Sequence, residues 1–446
     1  MRRLFIHAVL IIIIATMTGC QLTSNQNLHI NLENDRSPQT LTIGLVSTVG
    51  SVTNILGDRI RAFDGEHPDI EIHFVQDNNR LYYQISPWLI GLEGREAPPD
   101  IVEVPYTLMQ YMYHHGKIEQ LNMNETKLQG LVIKAPDGSV IGVKSKVNPL
   151  VVYYNQEIFN AMGLEEPSGE WEWDMLDQTI ATLKKAGHNV YIMLSPFTLE
   201  WLAMNRYGGR ISDPYSMKFG GYLDSEASIR AAEWFAWVGT KEEDYELPSG
   251  QAFPMPSELI KGNMALAIDY AHRVVGHYHY ESIIQRNDQI NIAPLPGGPE
   301  TSNLAQMTGL SILSKSPNRD VAMKLLRYLT NDSEGYIHDI ASYTLQAWQG
   351  VTLGVDWIDP GRASTILQEI GRSVPATLFM SDDYSHGFNF NSEHAYPFLR
   401  EIIDGRPTFE ALEQYAQQLD VEFQAFWDNP EAYGECIKNG RELCVR

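Results

Sequence analysis

Apolar and polar positions first alternate at Leu41, Ile43 and Leu45, a short strand that runs out at Ser47-Thr48-Val49-Gly50. Ile55, Leu56, Ile60 and Phe63 then recur at the spacing of one helix face. His67-Pro68-Asp69 breaks that helix, and Ile70, Ile72 and Phe74 open a second strand. Strand, helix, strand in so short a stretch is a βαβ unit, which predicts a parallel sheet with a right-handed crossover. Pro98-Pro99-Asp100 leads into Ile101-Val102, a third buried strand, and Leu108, Tyr111 and Met112 mark a helix ending near Gly116. Further helices are expected from Trp173-Asp174 (Leu176, Ile180 and Leu183 inward, stopped by Gly187) and after Pro317 (Val321, Leu325, Leu326 and Leu329). Phe409, Leu412, Ala416, Leu419, Phe423 and Phe426 form an apolar stripe too short for a coiled-coil seam, so it predicts a helix packed on its own domain. There is no internal repeat or low-complexity tract. The pattern is α/β, and 446 residues at roughly 150 per domain call for at least two lobes.

The first residues have a different character. Met1-Arg2-Arg3 is a positive start, Leu4 to Ala15 is apolar apart from His7, and Thr16-Met17-Thr18-Gly19-Cys20 follows. The stretch is short of the roughly 20 residues that span a bilayer and fits a secretory signal. Small residues before a cysteine resemble the lipobox of bacterial lipoproteins, with Met17 where Leu is usual. Residues 1–19 are therefore expected to be a signal peptide and Cys20 the lipidated first residue of the mature chain. Polar residues 20–40 read as a flexible tether to the membrane. This places the protein on the extracytoplasmic face, a Gram-positive surface being favoured over a periplasm. Cys436 and Cys444 either close a small disulfide loop or remain two free thiols.

Composition narrows the function. Lys and Arg number 33 against 56 Asp and Glu, a formal charge of −23 that argues against a nucleic-acid coat. Three cysteines exclude a disulfide scaffold, and 43% hydrophobic residues suffice for large cores. Nucleophile-elbow, zincin, Cys-x-x-Cys, dinucleotide-binding and P-loop motifs are all missing, so neither catalysis nor a cofactor is expected. His272, His277 and His279 have a metal-like spacing, but no carboxylate or thiol joins them, and a packed or cleft-lining segment with Tyr270, Tyr278 and Tyr280 is preferred to a metal site. Glu165-Glu166 and Asp382-Asp383 are adjacent pairs whose side chains diverge, so solvated surface is expected for both.

Six blocks in order carry a resemblance. They are the lipobox with the Leu41–Thr48 strand, Pro98-Pro99-Asp100-Ile101-Val102 with the helix ending in Gly116-Lys117-Ile118-Glu119-Gln120-Leu121, and Ile141-Gly142-Val143 leading to Tyr153-Tyr154-Asn155-Gln156-Glu157-Ile158-Phe159. Tyr207-Gly208-Gly209-Arg210-Ile211, Gly262-Asn263-Met264-Ala265-Leu266-Ala267-Ile268 and Ile292-Ala293-Pro294-Leu295-Pro296 through Gly309-Leu310-Ser311-Ile312 complete the set. Together they resemble the sugar-binding solute-binding proteins of ABC importers, the group that includes maltose-binding protein. The resemblance implies a type II two-lobed fold, each lobe a mainly parallel sheet flanked by helices. Residues 41–146 with 297–335 would form one lobe and 147–296 with 336–446 the other. It also implies a monomer that closes on a carbohydrate and delivers it to membrane permease subunits, without chemistry on the cargo.

Open sheets bind ligands beyond the carboxyl ends of their strands. That rule nominates Ser47, Thr48, Asn78, Glu103, Tyr106 and Thr107. The resemblance adds Trp201, Asp269 and Tyr270 as stacking or hydrogen-bonding groups, and Trp348 is a further aromatic nominated for the cleft. Simpler roles stand beside these: a helix cap for Ser47 and Thr48, a surface ion pair for Glu103, a core position for Trp201. Asp269-Tyr270-Ala271-His272 departs from the family pattern, in which a Trp is common. Two other functions therefore stay open, a lipoprotein feeding a sensor and a secreted carbohydrate hydrolase.

Overall fold

The computed structural model describes residues 39–45, 52–76, 99–123, 128, 130–193, 196–216, 218–239, 255–272, 289–298, 301–346, 360–376, 401 and 409–429. All of them lie in one compact unit, Pro38–Arg446. The chain begins with β1 (Gln39–Leu45), α1 (Val52–Glu66), β2 (Ile70–Gln76), β3 (Ile101–Pro105) and α2 (Tyr106–His114). β1 pairs in parallel with both β2 and β3, as the βαβ pattern predicts. β4 (Val132–Lys134) and β5 (Val140–Asn148) then form a hairpin.

After one residue, Pro149, the chain enters β6 (Leu150–Asn155), followed by α3 (Gln156–Met162), α4 (Trp173–Lys185), β7 (Asn189–Ile192), α5 (Pro196–Asn205), α6 (Glu226–Val238), α7 (Met255–Ile260), β8 (Met264–Tyr270) and β9 (Ile290–Ala293). These strands form a second sheet in the order β7-β8-β6-β9. The chain returns through β10 (Asn303–Ile312), α8 (Arg319–Leu329), α9 (Ser333–Gln346), α10 (Pro360–Gly371), β11 (Ser373–Pro375) and α11 (Phe409–Asp428). The first sheet is completed in the order β2-β1-β3-β10-β5-β4, with β11 on β10.

Both sheets are mixed rather than mainly parallel. Crossover helices give parallel pairs, but β10 returns from the other sheet and lies antiparallel between β3 and β5. In the second sheet β6 is antiparallel to both β8 and β9, and the one parallel pair is β7 with β8. Apolar side chains are buried against both sheets. Leu41, Ile43, Leu56, Phe63, Ile101 and Val104 are buried in the first; Val152, Phe159, Leu176, Ile180, Trp201 and Leu266 are buried in the second.

Among the described residues, passages between the sheets include Pro149, the return from β9 to β10, and the step from α10 to β11. α10 packs on β9 and β6, whereas β11 pairs with β10. α9, the helix that contains residue 335, packs on β5 and α1 and also on α10.

Candidate functional site

β1, β2 and β3 all point their carboxyl ends to one side, and α2 starts there with Tyr106 directly after Pro105. β10 enters antiparallel at that side, which brings Ser302, Leu304 and β11 beside Tyr106. Facing them, α5 leaves the carboxyl end of β7 and presents Glu200 and Met204. Between these groups lies a cleft of about 810 Å³, lined from the first sheet by Tyr106, Lys134 and Lys144, from the second by Glu200, Met204, Arg210 and Tyr215, and from the connections by Leu304, Arg372 and Ser373.

Each lining group has a physical setting. The Tyr106 hydroxyl accepts from Gln110 Nε2 at 2.6 Å and donates toward the Lys134 carbonyl at 3.4 Å. Burial and the nearby Glu200 carboxylate push that hydroxyl well above its ordinary pKa, with Arg210 opposing, so it stays a protonated donor. Glu200 is buried, with 2% exposure. Tyr215 is the opposite, a lining residue that is 62% exposed. Gly208, at φ 72°, and Gly209, where a Cβ would collide with Ala227 Cβ, turn the chain so that Arg210 reaches the cleft. A second hollow of about 740 Å³, walled by Tyr207, Tyr222 and Arg230, adjoins the cleft through Met204 and Arg210.

Lys144 stands out. It is 2% exposed, its Nζ donates to the Ser373 carbonyl at 2.7 Å, and burial pulls its pKa down to about 7. Behind it, the Lys144 carbonyl accepts from the Tyr336 hydroxyl at 2.7 Å.

The connections meet in a buried node beside the cleft. Asn303 at the start of β10 donates to the Leu150 carbonyl at 2.7 Å and accepts from the Leu150 amide at 3.1 Å. The same amide group donates to Glu369, which holds Arg372 through two nitrogens at 2.9 and 2.6 Å. Arg372 also donates to the Leu295 and Gly298 carbonyls at 3.1 and 2.8 Å. One polar cluster thus ties these three passages together.

Of the residues nominated from sequence, the structure brings Tyr106 to this cleft. Glu103 lies one turn of strand earlier, 2% exposed in the first sheet, accepting from the Ser145 hydroxyl at 2.5 Å; burial raises its pKa, with Ser145 opposing. Thr107 follows Tyr106 in α2, its side chain outside the described residues. Trp201 is fully buried against Trp173, their ring centroids 5.0 Å apart, so its neighbour Glu200 faces the cleft instead. Asp269 and Tyr270 end β8 next to Pro149, both buried; Asp269 accepts from the Tyr270 amide at 2.6 Å and Tyr270 stacks on His272. Ser47, Thr48, Asn78, Trp348, Cys20, Cys436, Cys444, His277 and His279 lie outside the described residues. Among the described residues no group of three His, Cys, Asp or Glu could hold a metal.

Sequence reasoning missed Lys144, Glu200, Arg210, Tyr215 and Arg372. The available signal was a lysine directly after the apolar start of β5, Val140-Ile141-Gly142-Val143, and an arginine directly after a Gly-Gly turn.

Known proteins extend this picture. The family model described as bacterial extracellular solute-binding protein matches residues 49–336. An arabinooligosaccharide-binding protein of Halalkalibacterium halodurans is 23% identical over 301 residues, 63% of this chain; the chain spans 65% of that relative's length. Among solved structures, the sugar-binding protein MalE of Xanthomonas citri superposes with a TM-score of 0.63 at 13% identity, over 86% of this chain and 96% of that one. An ABC substrate-binding protein from Listeria monocytogenes, in complex with cycloalternan, gives 0.56 at 15% identity, over 87% and 99%. At these identities the structural likeness establishes the fold, the two-lobed α/β arrangement of type II periplasmic binding proteins.

Proposed function

The chain belongs to the bacterial extracellular solute-binding proteins, a family of binding proteins rather than enzymes, and from that premise we propose that it captures an oligosaccharide in the cleft between its sheets and hands it to the permease of an ABC importer. The observation that carries this reading is the cleft itself. Its volume of about 810 Å³ suits a few sugar rings, and its walls come from both sheets. A sugar offers hydroxyls at its edges and C–H groups on its faces. Tyr106 and Tyr215 supply aromatic surface, and Lys144, Glu200 and Arg210 supply donors and acceptors. The sugar-binding relatives support the choice of cargo.

The proposed mechanism is closure. A ligand that touches both lobes binds the closed form better than the open one and shifts the population toward it. No bond is made or broken. Cys20 would hold the protein to the membrane through its lipid, residues 20–40 would give it reach, and a single copy would dock on the permease. Among the described residues no helix is long and apolar enough to cross a membrane.

Calorimetry and thermal shift with arabino-, xylo-, malto- and galacto-oligosaccharides test the reading. One of these is expected to stabilise the protein by about 2.7 kcal/mol at 100 times its dissociation constant. Tyr215→Ala is expected to weaken that binding about tenfold, as loss of one stacking face would, and to leave the unliganded melting temperature unchanged. No shift with any saccharide, or turnover of one, would overturn the proposal.

A further inference from the structure

The protein carries a net charge of −23, yet its cleft is cationic. The ionisable groups that line it are Lys134, Lys144, Arg210 and Arg372 against Glu200. Arg372 is already neutralised by Glu369. The remaining imbalance centres on Lys144. Its ammonium is buried, it makes one hydrogen bond to a neutral carbonyl, and no carboxylate among the described residues pairs with it. A buried unpaired charge is costly enough that a protein sheds the proton or finds a counter-ion.

Resting on the carbohydrate reading above, we propose that the cargo is an acidic saccharide, a uronate-bearing oligosaccharide whose carboxylate pairs with the Lys144 ammonium. A single uncompensated positive charge matches a carboxylate's single negative one. Lys134 beside it on the first-sheet wall and Arg210 on the opposite wall attract and orient that group. Glu200, the one lining acid among the described residues, acts on the Tyr106 hydroxyl, and no ion pair joins it to Lys144.

The site has a protonic signature. With a pKa near 7 when empty, Lys144 is largely neutral at pH 8, and an arriving carboxylate restores its proton. Affinity for the acidic sugar therefore rises as pH falls from about 9 to 6. Lys134, Tyr106, Glu200, Arg210 and the Glu369-paired Arg372 line the same cleft, and the Tyr336 hydroxyl bonds the Lys144 carbonyl. The carboxyl-reduced control reports any part these groups play in that pH dependence.

The test is titration calorimetry on the full chain at pH 8, in buffers of different ionisation enthalpy. The probes are trigalacturonic acid, a glucuronate-substituted xylotriose, and the carboxyl-reduced form of each. At least one acid is expected to bind about 10- to 100-fold tighter than its reduced form, the scale of a charge-assisted bond, with uptake of up to one proton. Lys144→Met should abolish that preference. Lys144→Arg, which keeps its proton, should retain the preference but lose the proton uptake. Melting temperatures confirm that both variants fold. Equal binding of acid and reduced forms, or a preference that survives Lys144→Met, overturns the inference and leaves the carbohydrate reading standing. Failure of every saccharide, acidic or neutral, overturns both.

Discussion

A buried ionisable side chain adds a pH-dependent term to the protein's stability, and Glu103 shows how the sign is set. Burial raises its pKa and the Ser145 hydroxyl only partly offsets that, so the folded chain holds the proton more readily than the unfolded one. Such a group supports the fold fully below the ordinary carboxylate value, and that support is lost as pH rises through the raised one. Lys144 works the other way, losing support as pH falls toward 7, so the clean comparison is variant against parent. Glu103→Gln keeps an acceptor for Ser145 and removes the charge. Urea midpoints at pH 5 and pH 8 should then show a smaller loss in the variant than in the parent, and equal losses would place the effect elsewhere. The same reasoning explains what was legible at this scale. Tyr106 followed from the rule that ligands sit at strand carboxyl ends. Lys144, Glu200 and Arg210 did not, because in sequence a charged residue reads as solvated until burial is known. Trp201 and Glu200 are adjacent on α5, and about 100° of helix rotation decides which faces the core.

At the scale of elements, the Tyr-Tyr-Asn-x-x-x-Phe run was informative because each residue has a separate mechanical task. Tyr153 and Tyr154 lie on opposite faces of β6. Asn155 caps α3 by accepting from the Ile158 amide at 3.1 Å and also donates to the Leu259 carbonyl at 3.0 Å. Phe159 is buried in the first turn, and Gly163 ends the helix at φ 63°. Asn155→Ala removes the cap and leaves a carbonyl short of a partner, which should cost about 1–3 kcal/mol in thermal unfolding. Asn155→Asp keeps the acceptor and should cost less; an equal loss would mean that the cap is not what matters. Strands and helices were thus readable wherever periodicity and capping residues coincide. The pairing direction of β10 was not, because it depends on a return from the other sheet that no local pattern encodes. Glu166 shows the same limit: expected as solvated surface, it accepts from the Tyr154 hydroxyl at 2.8 Å and Gln156 Nε2 at 2.7 Å. Only the folded loop brings those partners together.

For the whole molecule, the question is what lets two sheets act as one device, and the Asn303–Glu369–Arg372 node answers it. A hinge needs short connections that bend while their relative positions are kept. Pro149 has little slack, and the β9–β10 and α10–β11 passages are held to Leu150 and Leu295 through this cluster. Glu369 is fully buried and its pKa is raised by burial, with Arg372 as the main opposing influence. Removing Arg372 therefore does more than delete hydrogen bonds, since it leaves a carboxylate without its counter-charge in a dry setting. Arg372→Met alone should cost about 3–5 kcal/mol in urea unfolding, while Arg372→Met combined with Glu369→Leu should regain much of that loss, as apolar replacements of buried ion pairs do. If the double variant were as unstable as the single one, the pair would be contributing geometry that apolar packing cannot supply. In that case the node would set the angle between the lobes, and radii of gyration from small-angle scattering, with and without saccharide, should differ between parent and double variant even where both still bind.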